Sequence, residues 1–182
     1  MKKVILFLVL IFALYSCGTD KLTEAKVKDL VQACIEKEPQ KDVVDAEITL
    51  GEGQLLATML RKSDNEKNYL QLSDEKLIDF EKTNQMLFGQ SKYNISLTEK
   101  GKQYVTRTEK NKTWVRCLSL KLSEVEEIHE NPSTNTAEVK LVFRKENKTP
   151  FHILLSDDLK SDEPIKRTMS FRKTNEGWKL CD

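Results

Sequence analysis

Ala137, Val139, Leu141 and Phe143 alternate strictly with Glu138, Lys140 and Val142, which is the pattern of a strand with one face turned to a core. Successive strand side chains point to opposite faces, so this register demands neighbouring strands that bury the same face. Neighbours are at hand on both sides. Upstream, Trp114, Val115, Cys117, Leu118, Leu120, Leu122, Val125 and Ile128 read as strand, followed by the turn cluster Asn131-Pro132-Ser133-Thr134-Asn135. Downstream, Thr168–Phe171 and Trp178–Leu180 flank Asn175-Glu176-Gly177, which has the chemistry of a hairpin turn. Between them, Thr149-Pro150 predicts a helical turn carrying Phe151, Leu154 and Leu155, and Asp157–Glu163 is a charged loop closed by Pro164. Residues 111–182 are therefore expected to form an antiparallel β-meander with one polar and one apolar face.

The N-terminal half has another pattern. Thr23 is placed to cap a helix that runs to about Lys37 and stops before Pro39, with Leu22 and Val27 at hydrophobic-staple spacing. Val27, Leu30, Val31 and Cys34 recur at i, i+3, i+4 and i+7, which gives one apolar stripe. A short strand over Ala46, Ile48 and Leu50 follows, and Leu55, Leu56, Met59 and Leu60 return to helical spacing. Leu77–Glu81 and Tyr93–Leu97 are β-capable and flank a Thr83–Ser91 connection, an expected hairpin. Tyr93-Asn94-Ile95-Ser96-Leu97-Thr98-Glu99-Lys100-Gly101-Lys102 resembles the second wing strand and its Leu-Thr-x-x-Gly exit in winged-helix domains. The fold class expected is α+β: a helical, winged-helix-like part over 23–110, then the meander over 111–182, as one domain or two. Asp74, Glu75, Asp79 and Glu81 sit where DNA would require positive charge.

The first residues carry an address. Lys2 and Lys3 precede an unbroken apolar run from Val4 to Tyr15, the order of a secretory signal peptide over 1–16. The run is shorter than the roughly 20 residues that span a bilayer. Leu14-Tyr15-Ser16-Cys17 resembles the lipobox of bacterial lipoproteins. The resemblance implies that Cys17 is acylated and becomes the mature N-terminus, with 17–22 as a lipidated tether. Gly18 after the cysteine implies sorting to the outer membrane. Membrane attachment then comes through the lipid, and an envelope protein is the expected partner.

The full chain of 182 residues has 30 basic and 29 acidic side chains. Removing 1–16 takes Lys2 and Lys3 and leaves a near-neutral protein, which argues against nucleic acid as a partner. With Cys17 lipidated, Cys34, Cys117 and Cys181 remain, an odd number in an oxidising compartment. One disulfide and one buried thiol is the simplest arithmetic. The favoured pair is Cys117 with Cys181, both in strand-like segments, with Cys34 as a small buried hydrophobe on the helix stripe. Other pairings stay open.

Catalytic chemistry finds little support. His129 and His152 have no Ser, Cys or Asp at diagnostic spacing. Glu126-Glu127 and Asp157-Asp158 are adjacent pairs that a strand would split between two faces. The Asp157, Asp158 and Asp162 loop lacks the spacing and glycine of a calcium loop. Trp114 and Trp178 are expected as core aromatics, with stacking on a ligand such as a sugar as the competing role. No metal or cofactor is expected. The function expected is that of a non-catalytic binding or interaction module at the envelope. A structural or assembly factor is the alternative, and a hydrolase built from distant residues such as His129, His152 and the Asp157 loop is a third.

Overall fold

The computed structural model describes residues 21–55, 62–87 and 90–181. The signal sequence, Cys17, and the expected helical run over Leu56, Met59 and Leu60 lie outside those residues. The described chain is mostly β. Helix α1 (Glu24–Lys37) is followed by strands β1 (Val43–Thr49) and β2 (Gly51–Leu55), helix α2 (Lys62–Asp74), and strands β3 (Ile78–Leu87) and β4 (Gln90–Leu97). The one-turn helix α3 (Glu99–Lys102) leads to β5 (Val105–Glu109), the long β6 (Lys112–Asn131) and β7 (Thr136–Glu146). A 3-10 turn (Pro150–Leu154), the one-turn helix α4 (Asp157–Lys160), β8 (Ile165–Thr174) and β9 (Gly177–Lys179) complete it.

This corrects the α+β expectation. Residues 23–110 are not a helical, winged-helix-like part, because five strands, β1 to β5, fall within them. The two longer helices cannot form a helix-turn-helix, since β1 and β2 intervene between them. The Leu97-Thr98-x-x-Gly101 motif has a different cause here. Thr98 Oγ1 donates to the carbonyl of Lys76 at 2.7 Å, and the N–H of Gly101 donates back to that hydroxyl at 3.1 Å. The turn is a cap on α3, and its glycine allows the backbone of Leu77 to approach: a Cβ on Gly101 would stand 1.9 Å from the Leu77 carbonyl oxygen.

The chain divides into two compact units, each assembled from separate stretches. One takes the chain up to Cys34, Val125–Leu141 and Thr168–Asp182; the other takes Ile35–Glu124 and Val142–Arg167. In the first unit the strand order is β6-β7-β8-β9. The alternation over Ala137, Val139 and Leu141 buries all three, as its period requires. Val125, Phe171 and Trp178 join them, together with Leu22, Val27, Val31 and Cys34 from the α1 side. The expected cap and staple of α1 are present: Thr23 Oγ1 accepts from the N–H of Lys26 at 3.3 Å, and Leu22 and Val27 are both buried.

In the second unit, β1 and β5 both pair antiparallel with the start of β6, and β2-β4-β3 form a separate three-stranded sheet. The expected β3–β4 hairpin is present and longer than its apolar residues suggest, since pairing resumes at Met86 opposite Ser91 and Leu87 opposite Gln90. Tyr69 of α2 lies against Phe80, which stacks on Tyr93 with centroids 4.8 Å apart. Leu72, Leu77, Ile78, Val115, Leu118 and Phe151 of the same unit are fully buried.

Candidate ligand pocket

The first unit holds a pocket of about 300 Å³ lined by Lys21, Glu130, Asn131, Pro132, Asn135, Lys173 and Trp178. Three local structures build it. The β8–β9 hairpin sets Lys173 directly opposite Trp178. Its turn closes at Gly177, whose φ of 111° favours glycine, and Thr174 Oγ1 donates to the Gly177 carbonyl at 2.9 Å. The Lys173 ammonium therefore lies over the Trp178 indole, 5.6 Å from its centroid, a cation–π arrangement on a ring only 4 % exposed.

The second structure is the β6–β7 turn. Asn131 Oδ1 accepts from both the N–H (3.2 Å) and the hydroxyl (2.7 Å) of Ser133, and Asn135 takes a φ of 53°, which asparagine tolerates. The Asn135 carbonyl then accepts from the N–H of Lys173 at 2.8 Å, which ties the turn to β8. The third structure is the entry of the chain. Glu130 Oε1 accepts from the N–H of Leu22 at 2.9 Å, so the residue before it, Lys21, is held at the pocket.

Among the described residues, this small concave site is lined by Lys21 and Lys173, by the Glu130 carboxylate that accepts from a backbone N–H, by Asn131 and Asn135, and by the Trp178 indole. Such a site suits recognition of a small polar ligand. Sequence reasoning singled out Trp178 and the Asn131–Asn135 turn separately. Lys21, Glu130 and Lys173 carried no signal, because their shared position depends on pairing between strands far apart in the chain.

The cysteines depart from the expected pairing. Cys34 is bonded to Cys181, with their Cα atoms 5.6 Å apart, and Cys117 is a buried free thiol. The stripe that buries Cys34 on α1 also brings it to the C-terminal segment of its own unit. Cys117 is instead in the core of the other unit, where its Sγ donates to the Phe151 carbonyl at 3.2 Å. Burial pushes its thiol up to about 12, with a further contribution from the Asp45 carboxylate.

The residues of the hydrolase alternative each have local partners. His129 Nε2 lies 2.6 Å from Glu127 Oε1, and Glu127 also pairs with Lys140, which holds its carboxyl below the usual range. His152 Nδ1 contacts the Thr149 carbonyl at 2.8 Å. In the Asp157 loop, the Lys145 ammonium donates to the carbonyls of Asp158 and Ser161, both at 2.8 Å. Lys148 pairs with Asp162 and lowers its carboxyl. Among the described residues no group of His, Cys, Asp and Glu is placed to hold a metal ion. Trp114 is covered by the Arg107 guanidinium, 3.8 Å from the ring centroid.

No protein-family model matches the chain, and neither a curated protein nor a solved structure matches it.

Proposed function

We propose that this chain is an envelope lipoprotein, anchored through an acylated Cys17, that serves as a non-catalytic binding module with the Lys21–Trp178 pocket as its ligand site. The observation that carries this reading is the nearness of the pocket to Cys17 in sequence: Lys21 lines it and stands four residues after Cys17. The thiols support the same compartment. A disulfide between Cys34 and Cys181 belongs to an oxidising environment, and Cys117 is buried in a core. Of the four cysteines, that leaves Cys17 for modification.

A protein-docking role through an exposed apolar face has less support. Among the described side chains Leu70 is the one large hydrophobic group that stands exposed, and an interface core needs several together. No described helix is long and apolar enough to cross a membrane, so in this reading attachment falls to the acyl chains.

Intact mass of the protein from the membrane fraction, compared with a Cys17→Ser variant, tests the anchor. A mass gain matching a diacylglyceryl or triacyl cysteine, lost in the variant, is the expected result. An unmodified mass with release into the soluble fraction would overturn the reading.

A further inference from the structure

We infer that the β6–β7 turn, Asn131–Asn135, is a membrane-contact surface that rests on the headgroup layer of the bilayer anchoring the chain. The inference rests on the acylated Cys17 proposed above and adds which end of the first unit meets the lipid. The entry of the chain decides it. Leu22 is 4 % exposed, and its N–H donates to Glu130 Oε1 at 2.9 Å. Val27 and Val31 of α1 are buried in the same unit, and Cys34 on that helix is bonded to Cys181. The entry is therefore fixed to the unit, and any slack is confined to the residues between Cys17 and Leu22.

Length sets the reach. Five residue steps of fully extended chain cover at most about 18 Å. An acylated cysteine sits at the inner border of the headgroup layer, which is about 5–8 Å thick in each leaflet. Leu22 then stands no more than about 10–13 Å beyond that layer. A small domain is about 30 Å across, so the unit has no room to turn its entry away from the bilayer. The β6–β7 turn stands at that entry. Asn131, Pro132 and Asn135 line one pocket with Lys21, and Glu130, which holds Leu22, directly precedes the turn.

The chemistry of the turn fits a hydrated, neutral surface. Asn131-Pro132-Ser133-Thr134-Asn135 has no charge and no large hydrophobic side chain, and all five residues are exposed. Its shape is held from within: Asn131 Oδ1 accepts from the Ser133 hydroxyl, and the Thr134 and Thr136 hydroxyls lie 2.7 Å apart. Such a turn neither enters hydrocarbon nor selects anionic lipid. The short tether holds it at the headgroups.

The test uses the acylated full-length protein, with its acyl mass verified in the same sample. It is reconstituted in phosphatidylcholine vesicles in which part of the lipid carries a nitroxide on its headgroup. A fluorophore is attached in the native state, where Cys117 is buried, to the introduced thiol of Ser133→Cys or of Thr168→Cys. The first substitution keeps the backbone N–H bond to Asn131 Oδ1. Thr168 is exposed and precedes Lys173, whose N–H bonds the Asn135 carbonyl, by about 17 Å of strand. Quenching at position 133 should be at least about threefold that at position 168 over such a separation. It should not change when phosphatidylglycerol replaces part of the phosphatidylcholine. A flexible Gly/Ser spacer of about ten residues inserted after Thr19 should bring the two positions level.

Equal quenching at the two positions without the spacer, with the acyl mass present, overturns the contact surface and leaves the anchor standing. Quenching at position 133 that appears only with phosphatidylglycerol overturns the neutral contact and assigns anionic lipid. A difference that survives the spacer overturns the tether as its cause. A missing acyl mass overturns the anchor itself.

Discussion

The backbone N–H of Leu22 donates to Glu130 Oε1 at 2.9 Å, across 108 residues of sequence. This bond ties the entry of the chain to the end of β6, where Lys21 and Glu130 line the same pocket. Leu22 is itself buried, so its N–H needs a partner and Glu130 supplies it. Glu130→Ala is expected to lower unfolding stability by about 1 kcal/mol, because it removes an acceptor from a partly buried donor. Glu130→Gln keeps an acceptor and should cost less than half as much. Urea unfolding of the two variants checks the order; equal losses would show that the hydrogen bond contributes nothing.

The disulfide makes a countable prediction. Alkylation of the denatured, unreduced protein should modify one thiol, Cys117, when Cys17 is acylated, and after reduction it should modify Cys34, Cys117 and Cys181. A second modified thiol before reduction would mean that Cys17 is free. Cys34→Ser or Cys181→Ser should cost about 2–4 kcal/mol, since the bond closes a loop with a sequence separation of 147.

These two links show what the sequence could and could not declare. Alternation over Ala137–Phe143, the stripe on α1, the Asn131–Asn135 turn and the β8–β9 turn were legible because each is set by neighbours a few residues apart. Helix α2 was not, because only Tyr69 and Leu72 of its described side chains are buried and the rest of its sequence is polar. Strand β2 was not either: Gly51-Glu52-Gly53 has no strand propensity, and pairing with β4 imposes the conformation. The winged-helix likeness failed on the same ground, since a cap and a close backbone approach explain Leu97–Gly101 without any helix pair. Disulfide partners and pocket residues depend on tertiary pairing alone, which is why Cys34 and Lys173 gave no warning.

Gly101 tests that account of the motif. With a Cβ placed 1.9 Å from the Leu77 carbonyl oxygen and 3.2 Å from Leu97 Cδ2, Gly101→Ala forces the backbone apart. The expected loss is about 3 kcal/mol, the upper part of the range for overpacking. Thr98→Ala, which removes the cap and its bond to Lys76, should cost about 1 kcal/mol. A Gly101→Ala variant as stable as the native protein in urea unfolding would refute the close approach.

Alkaline pH should unfold the second unit through two buried acids. Burial pushes the Tyr69 hydroxyl up to about 12, with Glu47 adding to it, and pushes the Cys117 thiol to about 12 as well. Unfolding returns them to roughly 10 and 8.5, so between those values and 12 the folded chain holds protons that the unfolded chain has released. Stability contributed by both groups is therefore complete below about pH 8.5 and falls as pH rises toward 12. Tyr69→Phe should remove the part of the decline that begins near pH 10, and Cys117→Ala the part that begins nearer pH 8.5, whatever each costs at neutral pH. Urea midpoints measured from neutral to alkaline pH provide the check, and slopes unchanged in both variants would exclude these groups as the cause. The same burial should make native Cys117 slower to alkylate at pH 8 than an exposed thiol by about three orders of magnitude.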